Sequence, residues 1–191
     1  RTPEINQSAD KLVAAFPRER LASIFIGHMH GGSITDDLEK DDDRESLDES
    51  VATAAPDAVA DALTRYMTPL LEAGANHIQG SYALANYAGY SRVAALIAPR
   101  LLRAKLNAPL QILTDLVLAA IHGGTGSSDL MPLVELALDV PDLEPAQRTI
   151  WITVGYLLNP DAYTTRLETQ LRDPEHGVNN ARSSISVIFP D

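Results

Sequence analysis

Histidine is the residue type in this chain best suited to chemistry, because its imidazole titrates near neutral pH and binds metal ions. The chain has five histidines and no cysteine. The histidines lie in four segments that contain glycine, at 27–32, 75–80, 121–125 and 175–177. Glycine beside an imidazole would let a substrate or a backbone approach closely. These segments therefore allow two interpretations, one functional and one structural.

Two of the histidine segments resemble each other. Segments 30–38 and 122–130 match at six of nine positions when Ser33 and Thr125 are counted as a conservative pair. Helix capping also explains the pattern, since a helix C-terminus favours histidine, glycine supplies the left-handed cap, and Ser, Thr or Asp starts the next helix. For His77, which we place near the start of a helix over 75–88, the structural alternative is a buried neutral imidazole. Both interpretations stay open.

The elements that carry these histidines are predicted to be helices, because apolar residues recur at helical spacing through nearly the whole chain. The predicted helices lie at 5–16, 21–29, 56–71, 75–88, 91–106, 109–121, 128–138 and 145–158, with a further one starting at 159–160. The tail 184–189 fits either a strand or a final helix.

A period of 36 residues is visible in the second half of the chain. It relates Pro109 to Pro145 and Ser91 to Ser127. This spacing is typical of helical-hairpin repeats, in which each hairpin buries its apolar face against the next. We predict one all-α domain over 1–191, built from stacked helical hairpins as an α–α superhelix of HEAT type or a closed helical bundle, without a significant sheet.

Charge is concentrated in one acidic run. The net charge is −11, and residues 36–49 hold nine acidic side chains against Lys40 and Arg44. With few apolar residues, the stretch 35–50 is predicted to be a disordered acidic loop. An EF-hand frame starting at Asp41 would need Gly and Glu where Ser46 and Ala52 stand, so no metal site is predicted.

The same composition narrows the class of partner. Phosphate binding needs clustered Lys and Arg, and the chain has no such cluster, so a nucleic acid partner is not expected. No apolar run approaches the ~20 residues that span a bilayer, so we expect no membrane partner and a cytoplasmic location.

Two segments resemble the questin oxidase-like family. In segment 63–84, a helix containing leucine and proline leads into a Gly-Ala-x-His sequence at 74–77. In segment 118–136, an Ile-His-x-x-Thr sequence at 121–125 precedes a leucine-rich helix. The family's early Asn-His-Gly segment is matched only loosely at 27–31, which leaves the roles of His28 and His30 open.

This resemblance implies a monooxygenase that acts on a polycyclic aromatic polyketide with NADPH as reductant. It implies that His77 and His122 are the catalytic acid–base residues, that Thr125 orients the substrate by a hydrogen bond, and that Tyr82 contacts it. The alternative is a HEAT-like module that binds a protein partner and has no catalytic activity. In a regular stack the two imidazoles would lie about 20 Å apart, so catalysis requires a stack that closes around both.

Overall fold

The computed structural model describes Lys11, residues 15–31 and residues 49–188, and every regular element in this part of the chain is helical. Residues 49–54 are helical, and a short 3-10 helix spans Ala88–Tyr90. The α-helices with defined bounds are α1 (Arg18–Gly31), α2 (Pro56–Glu72), α3 (Ser81–Asn86), α4 (Ser91–Ala104), α5 (Leu110–His122), α6 (Ser127–Leu138), α7 (Pro145–Leu158), α8 (Pro160–Leu171) and α9 (Gly177–Ile188). The all-α prediction is confirmed.

The helices pack as hairpins in two layers. The first helices of successive hairpins pack in the order α2, α4, α6, and the second helices pack in the order α3, α5, α7, α9. Within hairpins, α4 packs on α5 and α6 packs on α7, while α8 packs chiefly against α7. The starts of α4 and α6 are 36 residues apart, so the sequence period corresponds to one hairpin. Stacking of helical hairpins is therefore confirmed.

Helix α5 lies at the centre of this arrangement. It contacts α3, α4, α7 and α9, and its residues 112–120 are all buried except Thr114. A helix that is apolar on nearly all sides is stable only when other elements surround it, which is the position that α5 occupies. Its sequence thus determines its place in the fold as well as its secondary structure.

Helix α7 is tied to the preceding hairpin by polar side chains. The fully buried Trp151 donates its indole N–H to the carbonyl oxygen of Leu106 at 2.9 Å. Gln147 donates from Nε2 to the carbonyl oxygen of Ala108 at 2.8 Å. Both acceptors belong to the turn between α4 and α5, so buried backbone groups of one hairpin are satisfied by the next.

The predicted helix over 75–88 is wrong. Residues 75–80 are not helical, and helix is present only in α3 and in the 3-10 helix that follows. Gly80 has a left-handed φ of 91° and Tyr87 is extended, so both ends of α3 break regular helix geometry. Ile78 is buried and holds the loop against the core. His77 consequently lies in a loop and not in the first turn of a helix.

The structure tests some of the remaining predicted elements. The tail forms helix α9, which confirms the helical alternative as far as Ile188. Of the acidic run, only Glu49 and Ser50 are described, and both are helical. The rest of the predicted acidic loop, and most of the predicted helix over 5–16, lie outside the described residues.

Candidate functional site

The loop that carries His77 begins with a helix C-cap. The Gly74 N–H donates to the carbonyl oxygen of Leu71 and the Ala75 N–H donates to that of Leu70, both at 3.0 Å. Gly74 has a left-handed φ of 73°. These are the two hydrogen bonds of a Schellman motif. The Gly-Ala sequence at 74–75 therefore has a complete structural explanation in ending α2.

The segment after His122 has the same geometry at the end of α5. The Gly124 N–H donates to the carbonyl oxygen of Ile121 at 3.0 Å, and the Thr125 N–H donates to that of Ala120 at 2.9 Å. Gly124 has a φ of 77°. The two segments that carry the family resemblance are thus capped in the same way, although their histidines occupy different positions relative to the cap.

Gly123 has a separate packing role at this helix end. A Cβ built on Gly123 would lie 2.6 Å from the backbone nitrogen of Ala95 in α4. Only glycine allows the end of α5 to approach α4 this closely. The Gly-Gly pair after His122 therefore serves hairpin packing at one position and backbone conformation at the next.

His122 joins two hairpins. Its Nδ1 lies 2.7 Å from the carbonyl oxygen of Ala85 near the end of α3. Because a carbonyl oxygen only accepts hydrogen bonds, Nδ1 carries the proton. The same side chain borders a cleft of about 260 Å³ together with Tyr87 and Ser91. The imidazole has a structural partner and is not paired with an acidic side chain in the described part of the chain.

The structure does not bring His77 and His122 into one described cleft. His77 is exposed and precedes the start of α3, whereas His122 contacts the other end of that helix. Ser81 and Ala85 of α3 meet Asp115 and His122 of α5 in the same order, so the two helices run parallel. His77 lines neither the cleft beside His122 nor the larger groove described below.

The two predicted substrate-contacting residues, Thr125 and Tyr82, share neither of the two clefts. Thr125 Oγ1 is buried and has no hydrogen-bond partner among the described residues. Tyr82 is 59% exposed, and its ring makes an edge contact with Tyr87 at a centroid distance of 6.4 Å. Tyr82 lines the larger groove, which contains neither histidine nor Thr125. The side chains of His28 and His30, whose roles the sequence leaves open, are not among those that the structure describes.

His176 belongs to the turn that precedes α9. Asp173 Oδ1 accepts hydrogen bonds from the backbone N–H groups of His176 at 2.7 Å and Glu175 at 2.9 Å. These bonds hold the pKa of Asp173 below its usual range, since they favour the carboxylate form. His176 Nδ1 lies 3.3 Å from the same oxygen. The geometry is that of a turn leading into a helix.

The larger groove follows the second helices of three hairpins and has a volume of about 790 Å³. We call it the α3–α5–α9 groove. It is lined by Tyr82 and Asn86 of α3, by α5 residues between Leu110 and Leu118, and by α9 residues between Arg182 and Ser186.

A buried carboxylate lies within this groove. Asp115 is 4% exposed and lines the groove. Ser81 Oγ donates to its Oδ2 at 2.7 Å, and Gln111 Nε2 donates to its Oδ1 at 2.9 Å. No Lys, Arg or His within the described ranges forms an ion pair with it. Both oxygens are hydrogen-bonded, but no cationic side chain of the described residues is paired with this carboxylate.

Asp115 is not among the candidate residues that the sequence predicts. It lies in the apolar stripe of the helix predicted over 109–121, where a single acidic residue matches no motif. The available signal was its position, because Asp115 falls three residues after Ile112 and directly before Leu116, on the face that the stripe predicts to be buried.

No protein-family model, curated protein or solved structure matches this chain. The resemblance to the questin oxidase-like family therefore stays a prediction. Within residues 15–31 and 49–188, no group of three or more His, Asp or Glu side chains is placed to hold a metal ion. No helix in the same residues is long and apolar enough to cross a membrane.

Separate alanine substitutions at the two histidines test their structural roles. His122→Ala is expected to lower the free energy of unfolding by about 1 kcal/mol, because the Ala85 carbonyl loses its hydrogen bond. His77→Ala serves as the control and is expected to change it by less than about 0.5 kcal/mol, since both imidazoles are exposed but His77 lies in a loop, away from the contact with the Ala85 carbonyl that His122 makes. Urea denaturation followed by circular dichroism measures both. Equal losses for the two variants would contradict these assignments.

Proposed function

We propose that this chain is a helical-hairpin binding module that holds an extended segment of a partner protein in the α3–α5–α9 groove. The observation that carries the proposal is the groove itself, which runs across three second helices and has exposed apolar side chains on its rims. Tyr82 on α3, Leu110 on α5 and Ile185 on α9 are all exposed. Exposed apolar residues around a concave surface are typical of interaction sites.

The polar lining supports a peptide as the occupant. Asn86 and Gln111 carry side-chain amides in the groove. Their donor and acceptor groups complement those of a peptide bond, and each amide uses one N–H internally, Asn86 to the carbonyl oxygen of Tyr82 and Gln111 to Asp115. Further hydrogen-bonding capacity remains on both side chains. A segment with apolar side chains and an exposed backbone fits this combination.

The geometry supports binding better than the predicted monooxygenase activity. That activity requires His77 and His122 around one cavity, but the two residues are placed at opposite ends of α3 and share neither described cleft. The groove also lacks both imidazoles. Neither cleft therefore places the two predicted catalytic histidines together around NADPH and an aromatic substrate.

Panning of a random peptide library tests this proposal. Peptides of roughly 12 residues, which reach about 40 Å when extended, are selected on the intact chain, and the affinities of the selected peptides are measured by fluorescence polarisation. We expect Ile185→Ser to weaken binding about tenfold, because it removes an apolar contact worth about 1.4 kcal/mol.

Leu136→Ser is the matched control for this substitution. Leu136 lies on α6, does not line the groove, and is 52% exposed, compared with 55% for Ile185. The control variant is expected to bind the peptides with unchanged affinity. The proposal is wrong if no peptide is enriched, or if the two variants bind the selected peptides equally well.

A further inference from the structure

The buried carboxyl group of Asp115, which pairs with no cation of the described residues, gives the groove a specific chemical preference. A carboxylate removed from water is unfavourable unless a counter-charge or hydrogen bonds replace the lost hydration. Asp115 has hydrogen bonds from Ser81 and Gln111, which are both neutral. It has no cationic partner among the described side chains. The missing component of this site is therefore a cation.

Burial along the groove indicates the shape of that cation. Asp115 and Leu118 are buried and form the floor, whereas Tyr82, Leu110 and Ile185 are exposed and form the rims. A group that reaches Asp115 from the rim must pass apolar side chains before its charge meets the carboxylate. Lysine has this form, since an apolar four-carbon stem carries a terminal ammonium.

The hydrogen bonds already made by Asp115 favour lysine over arginine. Each carboxylate oxygen accepts one bond, Oδ2 from Ser81 and Oδ1 from Gln111. A guanidinium binds best through two parallel bonds to both oxygens, which requires both to be open on the same side. An ammonium is a compact point charge and needs only one open position.

The other ionisable groups of the groove restrict the number of cations. Helix α3 contributes Tyr82, helix α5 contributes Asp115, and helix α9 contributes Arg182. Arg182 is exposed and makes no ion pair in the described structure, so it repels every positive charge on the ligand. For a charge bound by Asp115 the carboxylate offsets this repulsion, whereas a second charge would find no further carboxylate in the groove lining. The charge pattern fits one lysine among apolar residues and not a run of basic residues.

We propose that the α3–α5–α9 groove recognises a single lysine of the partner segment and that Asp115 binds its ammonium group. This inference rests on the proposed function. The occupant is a peptide segment of a protein, because the groove is open and has exposed apolar side chains on three helices. The net charge of −11 also attracts a cationic segment at long range.

Peptide selection on the intact chain tests this inference. We expect one lysine position to be enriched among the selected peptides. Acetylation of that lysine, which removes its charge, is expected to weaken binding to the unmodified chain about tenfold. Asp115→Asn is expected to weaken binding of the lysine peptide by a similar factor and to abolish the difference between the lysine and acetyl-lysine peptides.

Arg182→Gln is the control, because it changes the charge of the groove in the direction opposite to Asp115→Asn. It removes a positive charge from the same groove, so it is expected to leave binding of the lysine peptide unchanged or to strengthen it. Thermal unfolding of each variant verifies that it is folded. If Asp115→Asn does not fold, the acetylation series on the unmodified chain decides the question, since it needs no substitution.

The outcomes separate this inference from the proposed function. Peptides that bind through the groove without a required lysine, or that tolerate its acetylation, overturn the inference and leave the proposed function intact. An acetylation effect that is equally large in Asp115→Asn also overturns it, because the lysine then contacts another group. Failure to select any peptide overturns both. Asp115-dependent binding of spermidine without peptide binding would likewise contradict a protein segment as the occupant.

Discussion

Replacement of Trp151 by alanine is expected to lower the free energy of unfolding by about 4 kcal/mol. The indole is fully buried on α7, and its Nε1 donates to the carbonyl oxygen of Leu106 at 2.9 Å. The substitution removes the largest fully buried side chain in the described core and leaves a cavity. It also leaves a backbone carbonyl of the α4–α5 turn without its partner. The two losses act on the same contact between hairpins.

The measurement for Trp151→Ala is urea denaturation followed by far-ultraviolet circular dichroism. Tryptophan fluorescence is unsuitable because Trp151 is the only tryptophan in the chain. Trp151→Phe is the graded control, since it keeps an aromatic ring and loses the N–H, and we expect about half the effect. Tyr82→Ala, at an exposed aromatic residue, is expected to cost less than about 1 kcal/mol. A loss below that value for Trp151→Ala would contradict the assignment of Trp151 to the core.

The second large effect is expected at Gly155 in α7. A Cβ built on Gly155 would lie 2.5 Å from Cδ1 and Cε1 of the Tyr163 ring. Tyr163 is buried, so the ring cannot move aside without separating α8 from α7. Gly155→Ala is therefore expected to lower the free energy of unfolding by about 2 kcal/mol, even though alanine favours helix by about 1 kcal/mol.

Gly27→Ala is the matched control for Gly155→Ala. Gly27 also lies inside a helix, α1, but a Cβ built there would meet no atom within 4 Å. The same substitution is expected to raise the free energy of unfolding at Gly27 by roughly 0.5–1 kcal/mol, since only helix propensity changes. Changes of the same sign at both positions would show that contact with Tyr163 does not limit residue 155.

Helix positions could be predicted wherever one apolar stripe determined both secondary structure and burial. Helix α7 was predicted with its observed bounds, and α4, α5 and α6 agree closely, because each has its buried residues at helical spacing. The period of 36 residues also corresponds to an observed hairpin. Local periodicity is enough when a helix lies in a regular stack.

The region 75–90 could not be predicted in this way. Its small and aromatic residues fit a helix by composition, but Gly80, with a positive φ of 91°, interrupts it. The effect of this glycine depends on backbone conformation, which residue type alone does not determine. The helix over 75–88 was accordingly predicted too long, and His77 was placed on a helix that does not exist.

The candidate site depends on contacts between residues distant in sequence. Ser81 and Asp115 are 34 residues apart, and Ala85 and His122 are 37 apart. Neither pair has a local pattern, because each arises from the parallel packing of α3 on α5. The histidine segments are distinguished by their glycines, and the structure explains Gly74 and Gly124 through helix caps. Asp115 lies on a face that the sequence predicts to be buried, but its hydrogen bonds and its place in the groove exist only in three dimensions.

The α3–α5–α9 groove also has a consequence for the cooperativity of unfolding. In hairpin arrays, stability is approximately a sum of hairpin terms and nearest-neighbour interface terms, so an end can open while the rest stays folded. Helices α3 and α9 belong to hairpins that are not consecutive in the array. A segment bound to both would link these two hairpins energetically, because opening either hairpin would break its contacts. We expect amide protons of α3 and α9 to exchange independently in the free chain and to exchange together when the segment is bound.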